Sequence, residues 1–365
     1  MKPHIVILSA FVTPFRSGAE ACVEEVPPLL RDKYDFTIVT ARLRKDLPKQ
    51  GRLENGTPVV RVGFGNKFDK WLYPFLSPFA VYKLKPNITH AVLESFAGLA
   101  MCFCGVAFFG AKRILTCQST NTKMYLKEMH KAANKITCIS NVLIKRAKKF
   151  GRDDAILIPN GIDMKAITDS LSWYEKVSGR ILFVGRLEKM KGIDTLLQAV
   201  ARIALSPSPS PEGGGELRLR IVGDGSQRSN LEKLTEDLGI KNYVKFLGYI
   251  APPDVYKEYA QAEIFCGLSR REALGNVFLE AQAAGCAVLG TQIDGIPDVV
   301  IKDKTGLLIK PDNPEHAANE LGRLLSDREL RKRLTEAGKK NAEKYEWGVI
   351  AGKYDEVYKE VLGVR

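Results

Sequence analysis

The sequence predicts an α/β protein made of two doubly wound, parallel-sheet domains facing across a cleft. Three observations carry that prediction. Short stretches rich in Val and Ile are apolar without interruption, as expected of strands covered on both sheet faces. Helical stretches separate them, which implies parallel crossover units. After the turn Pro159-Asn160-Gly161-Ile162-Asp163 the same alternation begins again. A chain of 365 residues suits two domains of ordinary size.

Taken in order, the first strands are expected at His4–Ser9, Phe36–Thr40, Pro58–Val62, Thr89–Leu93, Arg113–Cys117, Ile136–Ile139 and Ile156–Ile158. Pro27-Pro28 should end or kink the first helix early. The longest uncharged run, Ser95 to Ala111, is slightly short for a membrane span and contains Gly98 and Gly105. It is read as a buried crossover helix. The second strand set is expected at Ile181–Val184, Leu217–Val222, Val244–Leu247, Ile264–Cys266, Ala287–Leu289 and Leu307–Ile309. The stretch from Ser206 to Gly215, built of Ser, Pro and Gly around one Glu, reads as a solvated loop without chemistry. Domain limits are therefore placed at 1–163 and 164–342. The tail at 343–365 carries Trp347, Ile350, Tyr354, Val357 and Tyr358 at helical spacing, and should pack back on the first domain.

Composition narrows the function. An apolar fraction of 45% is that of a soluble globular protein. The formal charge of +13 points to anionic partners such as nucleotide phosphates or an acidic lipid surface. Seven cysteines, mostly inside apolar runs, suit reduced thiols and a cytoplasmic setting. Cys102-x-Cys104 lacks a second nearby pair, so no metal site is expected. No nucleic-acid reading module is present.

The stretch Ser269–Gly285 concentrates the chemistry. A polar turn with Glu272 leads through Leu274-Gly275-Asn276 into an apolar helix whose one ionisable residue is Glu280. A carboxylate buried there costs several kcal/mol, or neutralises, unless donors meet it. Ligand hydroxyls would serve; so would a buried arginine, the plainer reading. Glu272 lies near the helix's open N–H groups, which attract anions. Other candidates follow strands: Gly18 after the first, Gly185-Arg186 with Lys191 after Val184, Gly223-Asp224-Gly225 after Val222, and Gly248-Tyr249 after Leu247. Arg186 can fork two phosphate oxygens, and Lys191 adds a point charge. Each also reads as an ordinary turn or a solvated cation.

Together these motifs resemble the retaining glycosyltransferases of family 4. The resemblance rests on Gly185-Arg186 with Lys191-Gly192, Gly223-Asp224-Gly225, Ser269-x-x-Glu272 through Glu280-Ala281, Gly295-Ile-Pro-Asp-Val, Asn160-Gly161-Ile-Asp163 and Thr305-Gly306-Leu-Leu. It implies the two-Rossmann fold called GT-B and transfer of a sugar from a nucleotide-diphosphate donor to a hydroxyl acceptor, a glycan or lipid-linked glycan. By that resemblance Arg186 and Lys191 hold the diphosphate, Glu280 takes the ribose hydroxyls, and Glu272 with Leu274, Gly275 and Asn276 contacts the donor sugar. Gly18, Gly185, Gly223 and Tyr249 complete the donor site. No cofactor or metal is implied beyond the nucleotide sugar itself. The chain departs from the pattern on the acceptor side. Gln118, followed by Ser119, stands where many relatives have histidine, and Ser17-Gly18 replaces a Gly-Gly pair. Gln can hydrogen-bond a sugar but cannot take a proton. His90 and His130 are expected to be structural. Another nucleotide-sugar enzyme (epimerase- or phosphorylase-like) or a silent nucleotide-sugar-binding protein are the alternatives.

Basic runs at Leu143–Phe150, Arg331–Arg333 and Lys339-Lys340 read as solvated faces or as contacts to an anionic membrane surface. The aromatic stretch Trp71–Phe79 reads as domain packing, an acceptor groove or a bilayer contact.

Overall fold

The computed structural model describes residues 2–15, 18–107, 110–122, 124–205 and 216–364. Ser17 and the loop 206–215 lie outside them. The chain divides into two units, Met1–Gly161 with Trp347–Arg365, and Ile162–Glu346.

The first unit is built on a sheet of eight strands: β1 (His4–Leu8), β2 (Asp35–Ala41), β3 (Gln50–Arg52), β4 (Pro58–Val62), β5 (Ile88–Val92), β6 (Lys112–Cys117), β7 (Lys135–Cys138) and β8 (Ile156–Leu157). Their order is β3-β4-β2-β1-β5-β6-β7-β8. All neighbours are parallel except β3, which runs antiparallel to β4 and is exposed throughout. That edge strand carries no apolar signal, so its sequence does not announce it. Ile5 sits between Phe36 and Ile88 at the centre of the sheet.

The helices of this unit are α1 (Ala21–Leu30), α2 (Asp69–Leu84), α3 (Phe96–Ala107), α4 (Leu126–Ala132) and α5 (Asn141–Lys149). Of the two expectations for Pro27-Pro28, an end or a kink, the end does not occur: α1 continues to Leu30. Pro28 lacks the N–H that would bond the Glu24 carbonyl, and the Asn55 side-chain amide donates to that carbonyl instead, at 2.6 Å. With that acceptor satisfied, the helix keeps burying Val23, Val26 and Leu30. The run Ser95–Ala111 does supply a crossover helix, α3, with Ala97, Ala100, Met101 and Cys104 buried. In α5, Leu143 and Ala147 face inward, but Arg146 does not join the solvated cations expected of this run. It turns inward to pair with Glu94.

The second unit contains a six-stranded parallel sheet of β9 (Val177–Val184), β10 (Arg218–Val222), β11 (Val244–Gly248), β12 (Ala262–Gly267), β13 (Ala287–Thr291) and β14 (Leu307–Ile309). Its order is β11-β10-β9-β12-β13-β14, so the direction of winding reverses between β9 and β12. The helices are α6 (Met164–Leu171), α7 (Ile193–Ala204), α8 (Arg228–Asp237), α9 (Tyr256–Gln261), α10 (Asn276–Ala283), α11 (Ile296–Val299), α12 (Pro314–Ser326) and α13 (Arg328–Ala342). The core joins Ile181, Leu219, Ile264 and Leu289 from the strands to Leu196, Val200, Leu321 and Leu334 from the helices.

The chain ends in α14 (Trp347–Leu362), which belongs to the first unit. Ile350, Tyr354, Val357 and Tyr358, predicted as one face, are buried against Val23, Val26 and Tyr34. Asp355 accepts hydrogen bonds from Lys33 at 2.6 Å and the Tyr34 hydroxyl at 2.9 Å, which ties the helix down.

Candidate functional site

In open parallel sheets, loops leaving the strands diverge where the winding reverses, and ligands bind in the crevice so formed. In the second unit that point lies between β9 and β12. The loop leaving β9 is Gly185–Gly192; the loop leaving β12 is Leu268–Gly275. Most residues singled out from the sequence fall on these two loops or on the turns beside them.

Backbone packing there leaves no room for a Cβ at Gly223 or at Gly192. At Gly223, with φ of +130°, a Cβ would lie 1.9 Å from the Gly185 carbonyl oxygen. At Gly192, with φ of +63°, a Cβ would lie 2.0 Å from the Leu268 carbonyl oxygen. The first contact seats the turn after β10 on the turn after β9. The second seats the start of α7 on the exit of β12. The Gly223 N–H also donates to Gly248 at 2.8 Å, and Gly185 donates to Val222 at 3.0 Å, so the three turns form one surface.

Two side-chain contacts join the switch-point loops. Lys191 Nζ lies 2.5 Å from Glu272 Oε2, both half-buried. Arg270 reaches back across the same gap, donating to both Asp194 carboxylate oxygens at 2.9 and 2.8 Å and to the Lys189 carbonyl at 2.5 Å. Burial works to raise the Asp194 pKa, but the hydrogen bonds and charge of Arg270 outweigh it and hold the carboxyl below its usual range. Arg270 was not singled out from sequence. Its one signal was its place in the polar turn Ser269–Glu272.

Gly275, at φ of +95°, turns the chain into α10, and no side chain caps the first N–H groups of that helix. Leu274 is buried; Asn276 is half-buried at the helix start. Phe278 and Leu279 are fully inside, and Glu280 is half-buried with Oε2 accepting from the Tyr259 hydroxyl at 2.8 Å. Burial raises the Glu280 pKa and the Tyr259 hydrogen bond offsets part of that rise. The partner is a tyrosine, not the arginine of the plainer reading, and it occupies one carboxylate oxygen. Arg186 and Tyr249 are exposed on the turns after β9 and β11. Among the described residues no group of three metal-ligating side chains is gathered.

The acceptor-side candidates belong to the first unit. Gln118 follows β6 and is 3% exposed. Its Nε2 donates to Asn160 Oδ1 at 3.0 Å and its Oε1 accepts from Asn160 Nδ2 at 2.9 Å. Both ends of the amide are therefore engaged within the protein. The cause is polar satisfaction, since a buried amide must pair both ends. Fully buried Glu94 holds the loop by accepting from the N–H groups of Gln118 at 2.8 Å and Ser119 at 3.3 Å, and from Arg146. Ser119 Oγ accepts from the Asn121 N–H at 3.0 Å. Gly18 is exposed and begins the short turn into α1, with open space where a Cβ would stand. His90 is structural: its ring bonds Tyr358 and Thr116 at 2.9 and 2.7 Å, and burial lowers its pKa to about 3. His130 is buried too, against the Leu126 carbonyl at 2.7 Å.

Two Rossmann-type units with these switch-point loops define the GT-B class. Solved structures share the fold. Sucrose-phosphate synthase from Thermosynechococcus elongatus aligns at a TM-score of 0.85 and 19% identity, over 99% of this chain and 100% of that one. Anabaena HepE, solved in complex with UDP and glucose, aligns at 0.78 and 17%, over 98% and 100%. Within that class, the chain belongs to family 4, the group 1 glycosyl transferases: "Glycosyltransferase Family 4" matches residues 16–166 and "Glycosyl transferases group 1" matches 172–341. Among curated relatives, the uncharacterized glycosyltransferase MJ1607 of Methanocaldococcus jannaschii is 34% identical over 58% of this chain and 56% of its own length. A D-inositol 3-phosphate glycosyltransferase of Corynebacterium urealyticum is 35% identical over 49% and 42%. The chain spans about half the length of these curated relatives.

Proposed function

We propose that this protein is a retaining, metal-independent glycosyltransferase that moves a sugar from a nucleotide-diphosphate donor to a hydroxyl of a glycan or lipid-linked glycan. The observation that carries the reading is the Lys191–Glu272 contact across the switch point, beside exposed Arg186 and the uncapped start of α10. As the bond from the sugar C1 to the diphosphate oxygen breaks, negative charge grows on the leaving group and positive charge on the ring. Arg186, Lys191 and the α10 N–H groups stabilise the first; Glu272 faces the second. The acceptor oxygen bonds C1 on the face the diphosphate leaves, and its proton passes to a diphosphate oxygen. No protein nucleophile is required. Glu280, with Tyr259 on one oxygen, keeps the other for ribose hydroxyls.

Family membership and the UDP named for the HepE structure support a nucleotide-sugar donor. The net charge of +13 supports a cytoplasmic protein placed peripherally on the anionic inner face of a membrane. Among the described residues no helix is long and apolar enough to cross one. A second reading, a silent nucleotide-sugar-binding protein, is favoured by one observation: Gln118 replaces a base and its amide is occupied by Asn160.

Incubation with radiolabelled UDP-, GDP- and ADP-sugars separates the two. Slow, acceptor-independent release of free nucleotide supports the enzyme. Tight binding with no release at any donor concentration supports the silent protein, and neither binding nor release discards the site.

A further inference from the structure

Helix α2 is amphipathic in an unusual sense. Its inner face is Asp69, Tyr73, Ser77 and Val81, all buried, with the Tyr73 hydroxyl bonded to the Val39 carbonyl at 2.9 Å. The large apolar side chains point the other way. Phe68, just before the helix, and Trp71, Leu72, Phe75 and Phe79 follow one another at helical spacing and are 37–75% exposed. Phe103 of α3 extends the same surface by packing against Phe75, the rings tilted and their centroids 5.1 Å apart. Scattered exposed hydrophobes are ordinary; a continuous aromatic stripe marks a docking surface.

The charges around the stripe say what docks. Between Lys67 and Lys85 the one acid is Asp69, which is buried and accepts from the Gly65 N–H at 2.6 Å. The remaining charges, Lys67, Lys70, Lys83 and Lys85, are all positive, and none is in an ion pair among the described residues. Lys70 Nζ lies 5.9 Å from the centre of the Trp71 ring. A cavity of about 430 Å³ opens beside the helix, and its lining includes apolar Leu76 and Phe79 and cationic Lys49, Arg61 and Lys83. Apolar rings framed by lysines, next to a pocket of the same mixed character, match the boundary between acyl chains and anionic headgroups. A protein partner with an acidic rim would fit the charges but not the headgroup-sized pocket.

We propose that the outer face of α2 is the surface by which this chain sits on an anionic lipid bilayer, with Trp71, Phe75 and Phe79 entering the interface and the Lys49–Lys83 pocket receiving a lipid phosphate. This deepens the membrane-surface part of the proposed function and rests on it, but not on the donor chemistry.

The experiment is partition onto phosphatidylcholine vesicles with and without phosphatidylglycerol, followed by co-sedimentation. Trp71 emission is read in a Trp173→Phe background, where the other tryptophan, Trp347, is buried. Binding should require phosphatidylglycerol and shift the emission to the blue. Trp71→Ser/Phe75→Ser/Phe79→Ser, all at exposed positions, should weaken partition by about tenfold or more. Lys67→Glu/Lys70→Glu/Lys83→Glu should weaken it about a hundredfold. Both variants should hydrolyse donor in vesicle-free buffer as the parent does, which separates this surface from the sugar-transfer site. Equal partition onto both vesicles, no partition, or serine variants that bind like the parent would overturn the proposal. So would a dimer in light scattering that the serine substitutions dissolve, since the face would then join two copies.

Discussion

Lys191 and Glu272 are 81 positions apart in the chain, yet Nζ and Oε2 meet at 2.5 Å between the loops leaving β9 and β12. The contact sets the carboxylate and the cation proposed for opposite charges of one transition state into a single pair.

That pairing makes the two residues interdependent. Lys191→Ala should lower kcat/KM for the donor by about a hundredfold, the usual loss on removing a charge stabiliser. Glu272→Ala should act mainly on kcat. Because each change also strips the other's partner, the double variant should lose less than the sum, by about 1–2 kcal/mol. Steady-state hydrolysis by all four proteins measures this; strict additivity would mean the pair is not coupled.

Glu280 offers a pH test. Burial raises its folded pKa above the ordinary 4.5. The folded chain then holds the proton to higher pH than the unfolded chain. The stability Glu280 contributes is present below the ordinary value and lost as pH rises through the folded one. Glu280→Gln should therefore gain stability relative to the parent on going from acidic to neutral pH, while binding nucleoside diphosphate about tenfold more weakly (one lost charge-assisted hydrogen bond). Urea melts and titration calorimetry report the two effects, and a constant stability difference across pH would refute the first.

His90 works in the opposite direction. Its pKa falls from 6.5 unfolded to about 3 folded, so between these values the unfolded chain binds the extra proton. Stability should decline by up to about 1.4 kcal/mol per pH unit below 6.5. His90→Gln should be less stable at neutral pH, through its bonds to Tyr358 and Thr116, but should show a shallower acid slope in urea titrations. Parallel slopes would mean that His90 does not control acid unfolding.

Asn55 tests the α1 repair. Asn55→Ala leaves the Glu24 carbonyl without its donor and should cost about 1 kcal/mol, with faster amide exchange around Glu24 to Leu30. Unchanged exchange would show that solvent serves that carbonyl equally well.

Among the described residues, thirteen of the fourteen strands fall on the apolar stretches expected from the sequence; β3 is the plain failure, an exposed three-residue edge with no apolar residue. On the site side, Glu272 and Lys191 stood out as a carboxylate and a cation at strand-to-helix turns, and Glu280 as the one ionisable residue of an apolar helix. Arg270 and Tyr259 were not, because their partners Asp194 and Glu280 lie 76 and 21 positions away.

The order of apolar runs, the restart near Gly161 and the helical face of the tail were therefore decided by local chemistry alone, since burial on both sides of a strand or one side of a helix is written in its own residues. Which polar groups meet was decided only in the folded chain. The Gln118 amide pairs with Asn160, 42 positions on, and Arg146 looked solvated until Glu94 drew it inward. Periodicity records how much of a side chain is buried; it holds no record of which distant donor or acceptor fills the place beside it.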